Sequence, residues 1–126
     1  MLKIEDWMNK KVDTCSKDTT VIKATKDMMK SKAGALVVID QEKKPIGLVS
    51  QSDVIKKVVL REKDPSTLKV EDIMSKRIET IDVNSPLIQL SQQMHKKNIR
   101  KMPVTRDGKL VGMITARDLI RIMSGI

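Results

Sequence analysis

The stretch GMITARD, residues 112–118, ends one apolar run and begins another, and GLVSQSD, residues 47–53, repeats its pattern 65 positions earlier. Both heptads contain a glycine, two apolar residues, a hydroxyl residue, two variable positions and an aspartate. The chain is therefore an internal duplication. Two further pairs of segments match at an offset of 66: IEDWMNKKV (4–12) with VEDIMSKRI (70–78), and DTTVIKATKDMMK (18–30) with NSPLIQLSQQMHK (84–96). The change of offset predicts that one residue was gained or lost near Ala33 and Asn98.

Each repeat is predicted to contain a strand, a helix, two strands and a helix. One helical face recurs at the i, i+3, i+7 spacing in both repeats, as Val21, Ala24 and Met28 and as Leu87, Leu90 and Met94. Short apolar segments predict two strands after each helix, at ALVVID (35–40) and PIGLVS (45–50), and at MPVT (102–105) and LVGMIT (110–115). The polar segment 61–69 has no internal match, so we assign it as a linker between a first repeat, 1–60, and a second, 70–126.

Local signals predict where turns and helices begin. Asp107 and Gly108 both tolerate positive φ, which favours a tight hairpin turn. Ser85 followed by Pro86 predicts an N-cap and the first helical position. The last helix of each repeat is predicted to begin near the aspartate of its heptad, Asp53 or Asp118.

The composition predicts a globular chain with an aliphatic core. Of the 126 residues, 40% are hydrophobic and 33% are charged, and Trp7 is the only aromatic residue. A unit of about 60 residues is only marginally stable alone, so we expect the two repeats to pack as a pair with a shared core. A solenoid is the rival architecture, but such arrays need about three or more repeats.

The net charge of +9 is spread along the chain, with 14 basic and 10 acidic residues in 1–66 and 11 and 6 in 67–126. Such an excess attracts anionic ligands or surfaces. Cys15 is the only cysteine, which excludes an internal disulfide and suits a reducing compartment. No apolar run approaches the roughly 20 residues that span a bilayer, so we expect a cytoplasmic protein with no membrane partner.

The end of each heptad fits two kinds of chemistry. Ser50–Asp53 and Thr115–Asp118 both match a capping box at a helix start. A helix N-terminus also presents free N–H groups to a phosphate, and a carboxylate one turn along can accept hydrogen bonds from a ribose diol. Gly47 and Gly112 lie inside predicted strands, where glycine indicates the close approach of a ligand or of backbone. Capping alone and nucleotide binding therefore both remain open.

The duplicated pattern G-h-h-[ST]-x-x-D, in which h is apolar, resembles a tandem pair of CBS domains, the cystathionine-β-synthase-type regulatory module. VEDIMSKRIETIDVNSPL (70–87) and IRKMPVTRDGKLVGMIT (99–115) are also similar to the family pattern. The resemblance implies an α+β fold, an α/β sandwich of two βαββα repeats packed as a pseudo-twofold pair with two clefts. It also implies adenosine-type ligands in those clefts: AMP, ADP, ATP or S-adenosylmethionine.

Carried over by position, the resemblance assigns contacts to such a ligand. Asp53 and Asp118 would hold the ribose hydroxyls, while Ser50 and Thr115 would contact phosphate. Backbone leaving the first strand of each repeat would read the adenine edge, at Thr14, Cys15 and Ser16 and at Thr80, Ile81 and Asp82. The apolar residues implied on either side of the ring are Val38, Val49, Pro103 and Ile114.

The two clefts are predicted to differ in charge. The family's basic pair is present as Arg100-Lys101, just before Met102 and Pro103, and Arg117 follows in the second heptad. In the first repeat the equivalent places are assigned to Ala35-Leu36, Val38 and Ser52. Charge-assisted bonds to phosphate are about twice as strong as neutral ones, so we expect phosphate-rich ligands to favour the second cleft. A less anionic ligand such as S-adenosylmethionine is expected to favour the first.

We expect a stand-alone regulatory module and not an enzyme, because no nucleophile or acid–base constellation is visible and no catalytic cofactor is implied. His95 has no partner at ligand spacing, so no metal site is predicted. The expected partners are an unidentified regulated protein and a second copy of the chain, in a homodimer. The apolar residues assigned to the dimer surface are Ile55, Val58, Val59, Leu60, Ile120, Ile122 and Met123. The rival hypothesis is a small basic nucleic-acid-binding protein, although it would lack stacking aromatics apart from Trp7.

Overall fold

The structure, a computed structural model of the chain, describes residues 2–31 and 33–125. The chain divides into two compact units. Asp13–Ile78 forms the first unit, and the chain up to Val12 together with the chain from Glu79 forms the second unit. Every helix of the described residues is too short or too polar to cross a membrane.

The elements follow the predicted order within each repeat. In chain order they are α1 (Ile4–Trp7), β1 (Thr14–Cys15), α2 (Val21–Ser31), β2 (Ala35–Ile39), β3 (Pro45–Ser50), α3 (Gln51–Val54), β4 (Ile81–Asp82), α4 (Leu87–Lys97), β5 (Lys101–Arg106), β6 (Lys109–Thr115) and α5 (Ala116–Ser124). A π-helical turn, Ile55–Val59, continues α3, and a 3₁₀ turn, Val70–Asp72, stands in the second repeat where α1 stands in the first. The predicted α+β fold is confirmed.

Each unit contains a three-stranded sheet with the same topology. β1 runs parallel to β2 and β2 antiparallel to β3, and β4, β5 and β6 repeat this arrangement. The predicted turn between β5 and β6 forms at Asp107 and Gly108, whose φ angles are 53° and 79°. These are the positive values that a tight hairpin requires.

The hairpin registers correct the alignment of the two repeats. β2 and β5 correspond at an offset of 66 and β3 and β6 at 65, because Ala35 pairs with Ser50 and Lys101 with Thr115. The single-residue difference therefore lies in the turn between β2 and β3, and its predicted position near Ala33 and Asn98 is wrong. A turn absorbs an extra residue, whereas an insertion within a paired strand would move each following side chain to the other face of the sheet.

An aliphatic core lies under each sheet, and α2 and α4 contact it through the predicted faces. Val21, Ala24 and Met28 are buried in the first unit, and Leu90 and Met94 are buried in the second. The spacing of these residues along each helix matches the helical period that was predicted from the sequence.

The helix α4 begins one residue later than predicted. Pro86 is its N-cap, with an extended backbone of φ −64° and ψ 149°, and Leu87 is its first residue. Ser85 stays outside the helix because its N–H donates to the carbonyl of Asp82 in the preceding turn, at 2.9 Å. Proline fixes φ but not ψ, so it fits either position.

Each unit takes its N-terminal segment from the other repeat. Ile4 is buried in the core of the second unit, and Val70 and Ile73 are buried in the core of the first. The chain then crosses the edge of a sheet at Met8–Asn9 and at Met74–Ser75, which we call the clasp segments. Asn9 exchanges backbone hydrogen bonds of 2.8 and 2.9 Å with Met113 on β6, and Ser75 exchanges bonds of 2.8 and 3.0 Å with Leu48 on β3.

Candidate functional site

Both heptads form capped helix starts. Ser50 caps α3 and Thr115 caps α5, and each hydroxyl accepts a hydrogen bond of 3.2 Å from the N–H of its aspartate. In return, Oδ2 of the aspartate accepts from the cap residue's N–H, at 2.9 Å for Asp53 and 2.8 Å for Asp118, and from its hydroxyl at 3.0 Å in both. The capping interpretation is confirmed in both repeats.

The other oxygen of each heptad aspartate faces a cation. Asp53 Oδ1 lies 3.4 Å from Lys57 Nζ, and Asp118 Oδ1 lies 3.6 Å from Arg121 Nη1. The two aspartate side chains are only 18% and 15% exposed. Because the cap uses Oδ2, Oδ1 is the oxygen that could accept from a ligand, and a ligand diol would compete with the neighbouring cation for it.

The chain itself explains the two strand glycines. A Cβ on Gly47 would lie 2.8 Å from both the sulfur and a carbonyl oxygen of the clasp segment Met74–Ser75. A Cβ on Gly112 would lie 2.5 Å from the sulfur of Met8 and 3.1 Å from the carbonyl oxygen of Asn9. Of the two predicted reasons for glycine, the structure shows the approach of backbone.

A cavity of about 730 Å³ opens in the first unit where β1 and β2 end. Its walls include three of the predicted adenine contacts, Thr14, Cys15 and Ser16, and the side chains of Ile39 and Ile46. Pockets that bind small molecules typically have volumes of about 300–1,000 Å³. The cavity is therefore large enough for a nucleoside.

The walls of this cavity are more acidic than basic. Asp18, Asp40 and Glu42 line it together with one cation, Lys17. Burial, with a smaller contribution from Asp27, raises the pKa of the Cys15 thiol to about 11. Cys15 is consequently a neutral thiol near pH 7, so it adds a weakly polar wall and not a nucleophile.

The first heptad does not line the cavity. Ser50 pairs with Ala35, whereas Thr14 pairs with Val37 on the opposite side of β2. Ser50 on β3 and Thr14 on β1 are two strands apart across the sheet and offset by two residues along it. These spacings separate the two residues by about 12 Å. The structure thus places Ser50, Ser52 and Asp53 in one group and the predicted adenine contacts in another.

In the second unit the predicted cations lie beside the heptad. Lys101 pairs with Thr115, and the carbonyl of Arg100 accepts a hydrogen bond of 2.8 Å from the N–H of Ala116. Arg117 follows in the first turn of α5. The predicted adenine contacts are on the far side of β5, since Ile81 and Asp82 form β4 and follow Thr80 directly.

Most residues predicted to flank the ring belong to the cores. Val38, Val49 and Ile114 are fully buried there, as is Met102, and this burial argues against contact with a ligand. Pro103 is buried as well, but it lies on the sheet face away from the core, because successive strand residues face opposite sides. The hairpin registers correct two of the predicted equivalences. The counterpart of Pro103 in the first unit is Val37 and not Val38. The counterpart of Arg100-Lys101 is Gly34-Ala35 and not Ala35-Leu36.

The profile of the CBS domain matches this chain twice, at residues 4–60 and 70–125. The chain belongs to the CBS domain family. An uncharacterised protein of Methanopyrus kandleri is 30% identical over 112 residues, which make up 88% of this chain and 57% of the relative. The chain spans between 54% and 62% of the length of three curated relatives that it matches.

Two solved CBS structures are similar over most of the chain. A candidate signal-transduction protein with CBS domains from Burkholderia ambifaria is 29% identical with a TM-score of 0.76, covering 93% of this chain and 85% of that one. The CBS pair of protein MJ0100, solved with 5′-methylthioadenosine and S-adenosylmethionine, is 25% identical with a TM-score of 0.81, covering 99% and 98%. The chain therefore has the fold of a CBS pair.

The two cations that face the heptad aspartates, Arg121 and Lys57, were not predicted at the site, and only Lys57 left a signal in the sequence. At the offset of 65 it aligns with Ile122, which is buried in the second unit. The structure resolves this conflict with the π turn, because Val58 replaces Ile122 in the core while Lys57 reaches Asp53. A lysine aligned with a core position was the signal that could have predicted the extra residue.

Proposed function

We propose that this CBS pair is a regulatory module that binds an adenosine-type ligand and signals to a partner protein, without catalysing a reaction itself. The observation that carries the proposal is the identical mounting of Asp53 and Asp118, each fixed through Oδ2 with Oδ1 left outside the cap. The Oδ1 of a carboxylate held in this way can accept a hydrogen bond from a ribose diol. The ligands of the MJ0100 pair support this class, since both contain a ribose.

The two sites are proposed to differ in the ligand charge they favour. Beside the first heptad, Ala35 and Ser52 stand where the second heptad has Lys101 and Arg117, so a phosphate would meet fewer cations there and the first site favours a neutral nucleoside or a sulfonium such as S-adenosylmethionine. Arg100, Lys101 and Arg117 beside the second heptad favour AMP, ADP or ATP. The candidate ligands are therefore divided between the sites.

Calorimetric titration of the chain with 5′-methylthioadenosine, S-adenosylmethionine, AMP, ADP and ATP tests this proposal. We expect Asp53→Ala and Asp118→Ala each to weaken one site at least tenfold, because a hydrogen bond to a charged group contributes about 1.5–3 kcal/mol. Asp72→Ala is the matched control, since Asp72 Oδ2 accepts the Lys69 N–H at 2.8 Å in a similar cap outside the heptads. If the variant with both heptad aspartates replaced binds as tightly as the parent, the aspartates are caps only.

We also propose that the module associates with a second copy of itself. Ile55, Val59 and Leu60 are 54%, 62% and 73% exposed at the end of the first repeat, and Ile120 and Met123 are 68% and 79% exposed on α5. Val59 and Leu60 are adjacent in the chain, and exposed apolar residues that adjoin one another mark interaction surfaces in soluble proteins. Val58 and Ile122, which were also assigned to the dimer surface, are buried and cannot contribute to it.

The net charge of +9 supports nucleic acid binding as a second candidate function. The two functions differ in their salt dependence. Backbone contacts to a duplex lose several orders of magnitude in affinity between about 50 and 200 mM salt, whereas a buried nucleoside contact persists. Anisotropy of a labelled DNA duplex at both salt concentrations, compared with the calorimetric titration, decides between them.

A further inference from the structure

We propose that Lys57 and Arg121 couple ligand binding at the heptad aspartates to the attachment of the clasp segments Met74–Ser75 and Met8–Asn9. The inference rests on the proposed function, because it requires that the ligand diol binds those aspartates. It adds a structural consequence of binding, which a regulatory module needs in order to signal.

In the first unit one lysine joins the heptad to the clasp segment. Lys57 Nζ lies 3.4 Å from Asp53 Oδ1 and donates a hydrogen bond of 2.8 Å to the carbonyl oxygen of Ile73. Ile73 directly precedes the clasp segment, in which Ser75 pairs with Leu48 on β3. The side chain of Lys57 is 34% exposed, so this bridge is less solvated than an ordinary surface ion pair.

In the second unit an arginine makes the equivalent connection. Arg121 Nη1 lies 3.6 Å from Asp118 Oδ1, and its guanidinium carbon lies 5.8 Å from the centre of the Trp7 ring. A cation at this distance from an indole ring is attracted to it. Trp7 directly precedes the clasp segment Met8–Asn9, as Ile73 precedes its own. Both units therefore link aspartate, cation and clasp segment in the same order.

The link is kept although the two helices differ by one residue. Val54 and Leu119 pack against their cores, and Val58 and Ile122 are 2% and 5% exposed. The first helix therefore has one more residue between its core positions, and the π turn accommodates it. Inserted residues of this kind occur frequently at functional sites. In this helix the insertion lets a lysine reach the aspartate without displacing Val58 from the core.

A ribose diol on Oδ1 would displace the cation. Because the same Nζ makes both contacts, a ligand that moves it away from Oδ1 also draws it away from the carbonyl of Ile73, the residue before the clasp segment. By the same competition, removing the cation leaves Oδ1 free and strengthens binding of a neutral nucleoside. Ligand binding and clasp attachment thus oppose each other, and by linkage each weakens the other by the same factor.

Hydrogen exchange of the Leu48 and Ser75 amides in the whole chain measures clasp attachment, with 5′-methylthioadenosine as the probe ligand. We expect Lys57→Met to raise exchange of both amides without ligand and to bind the probe about fivefold or more tightly. Lys56→Met, at the exposed neighbouring position, is the matched control and should change neither property. Saturating the parent with the probe should raise exchange at the same two amides.

Arg121→Met, followed through the amides of Asn9 and Met113, repeats the test in the second unit if one variant does not fold. If the parent binds none of the adenosine-type ligands, the proposed function fails, and exchange in the ligand-free variants still decides whether the cations hold the clasps. Unchanged exchange in ligand-free Lys57→Met and Arg121→Met overturns the coupling. So does a parent that binds the probe while both pairs of amides exchange as before.

Discussion

At the scale of single residues, Gly47 is a position where one added methyl group should be costly. A Cβ there would lie 2.8 Å from the carbonyl oxygen of Ser75, and this oxygen accepts the Leu48 N–H that fastens the clasp segment. Backbone cannot move aside as a flexible side chain does. We expect Gly47→Ala to lower the free energy of unfolding by about 1–3 kcal/mol, as overpacking in a well-packed region does.

Two other glycines serve as controls for this prediction in urea denaturation. Gly112→Ala should cost less, because its two nearest atoms, at 2.5 and 2.9 Å, belong to the flexible side chain of Met8. Gly34→Ala should be neutral or slightly stabilising, because nothing lies within 4 Å of the added Cβ. Equal midpoints for Gly47→Ala and Gly34→Ala would show that the clasp segment does not press on β3.

At the scale of elements, the sequence predicted the helices and strands well because their apolar periods are strong. Val21, Ala24 and Met28 recur at the helical spacing and are buried together. The register of the hairpins was not predictable in the same way. An extra residue in the turn between β2 and β3 and one in the loop before β2 both shift the alignment of the repeats from 66 to 65. Only the pairing of Ala35 with Ser50 shows which of the two places holds it.

The candidate site was predicted in part, for a related physical reason. The hydroxyl and carboxylate of a capping box are local, so Ser50, Asp53, Thr115 and Asp118 could be located from sequence. Lys57 depends on a π turn, whose one trace in the sequence is the alignment of this lysine with the core residue Ile122. The exchange of N-terminal segments between units was likewise not visible, because repeats in a sequence do not show which sheet each segment crosses.

The extra residue in the helix that follows the first heptad gives a prediction at this scale. Deleting Lys56 should convert the π turn into a regular α-helix, because Val58 then follows Val54 as Ile122 follows Leu119 with the same core contacts. We expect the deletion to change the free energy of unfolding by less than about 1 kcal/mol, within the range of exposed single-residue changes. Circular dichroism during urea denaturation measures it.

Deleting Arg121 from α5 is the matched control. It removes one cation from a regular helix and moves Ile122 away from its core position, which should cost about 2–5 kcal/mol. If the Lys56 deletion is as destabilising as the Arg121 deletion, the π turn is required for the fold and is not an insertion into a regular helix.

At the scale of the whole molecule, the exposed apolar residues predict self-association. Light scattering at micromolar concentration should give a mass above the 14.2 kDa of one chain. Leu60→Glu and Met123→Glu should each shift the mass toward a monomer, because burying an unpaired carboxylate is unfavourable. Gln41→Glu, in the exposed turn between β2 and β3, adds the same charge elsewhere and should have no effect. A parent chain of 14.2 kDa would contradict the proposed dimer.

The charge difference between the two units leads to the last prediction, which concerns ligand choice by the whole module. Lys101 is exposed beside Thr115, whereas its counterpart by register beside Ser50 is Ala35. A charge-assisted bond contributes about 1.5–3 kcal/mol, so Lys101→Ala should weaken ATP and ADP at the second site about tenfold or more while changing adenosine little. Lys109→Ala is the control, because it removes the same net charge from the other end of the same hairpin, where Lys109 pairs with Arg106. If calorimetry finds that both variants lose the same affinity for ATP, the effect is due to net charge. If the two sites of the parent bind every ligand with equal affinity, the proposed division of ligands between them is wrong.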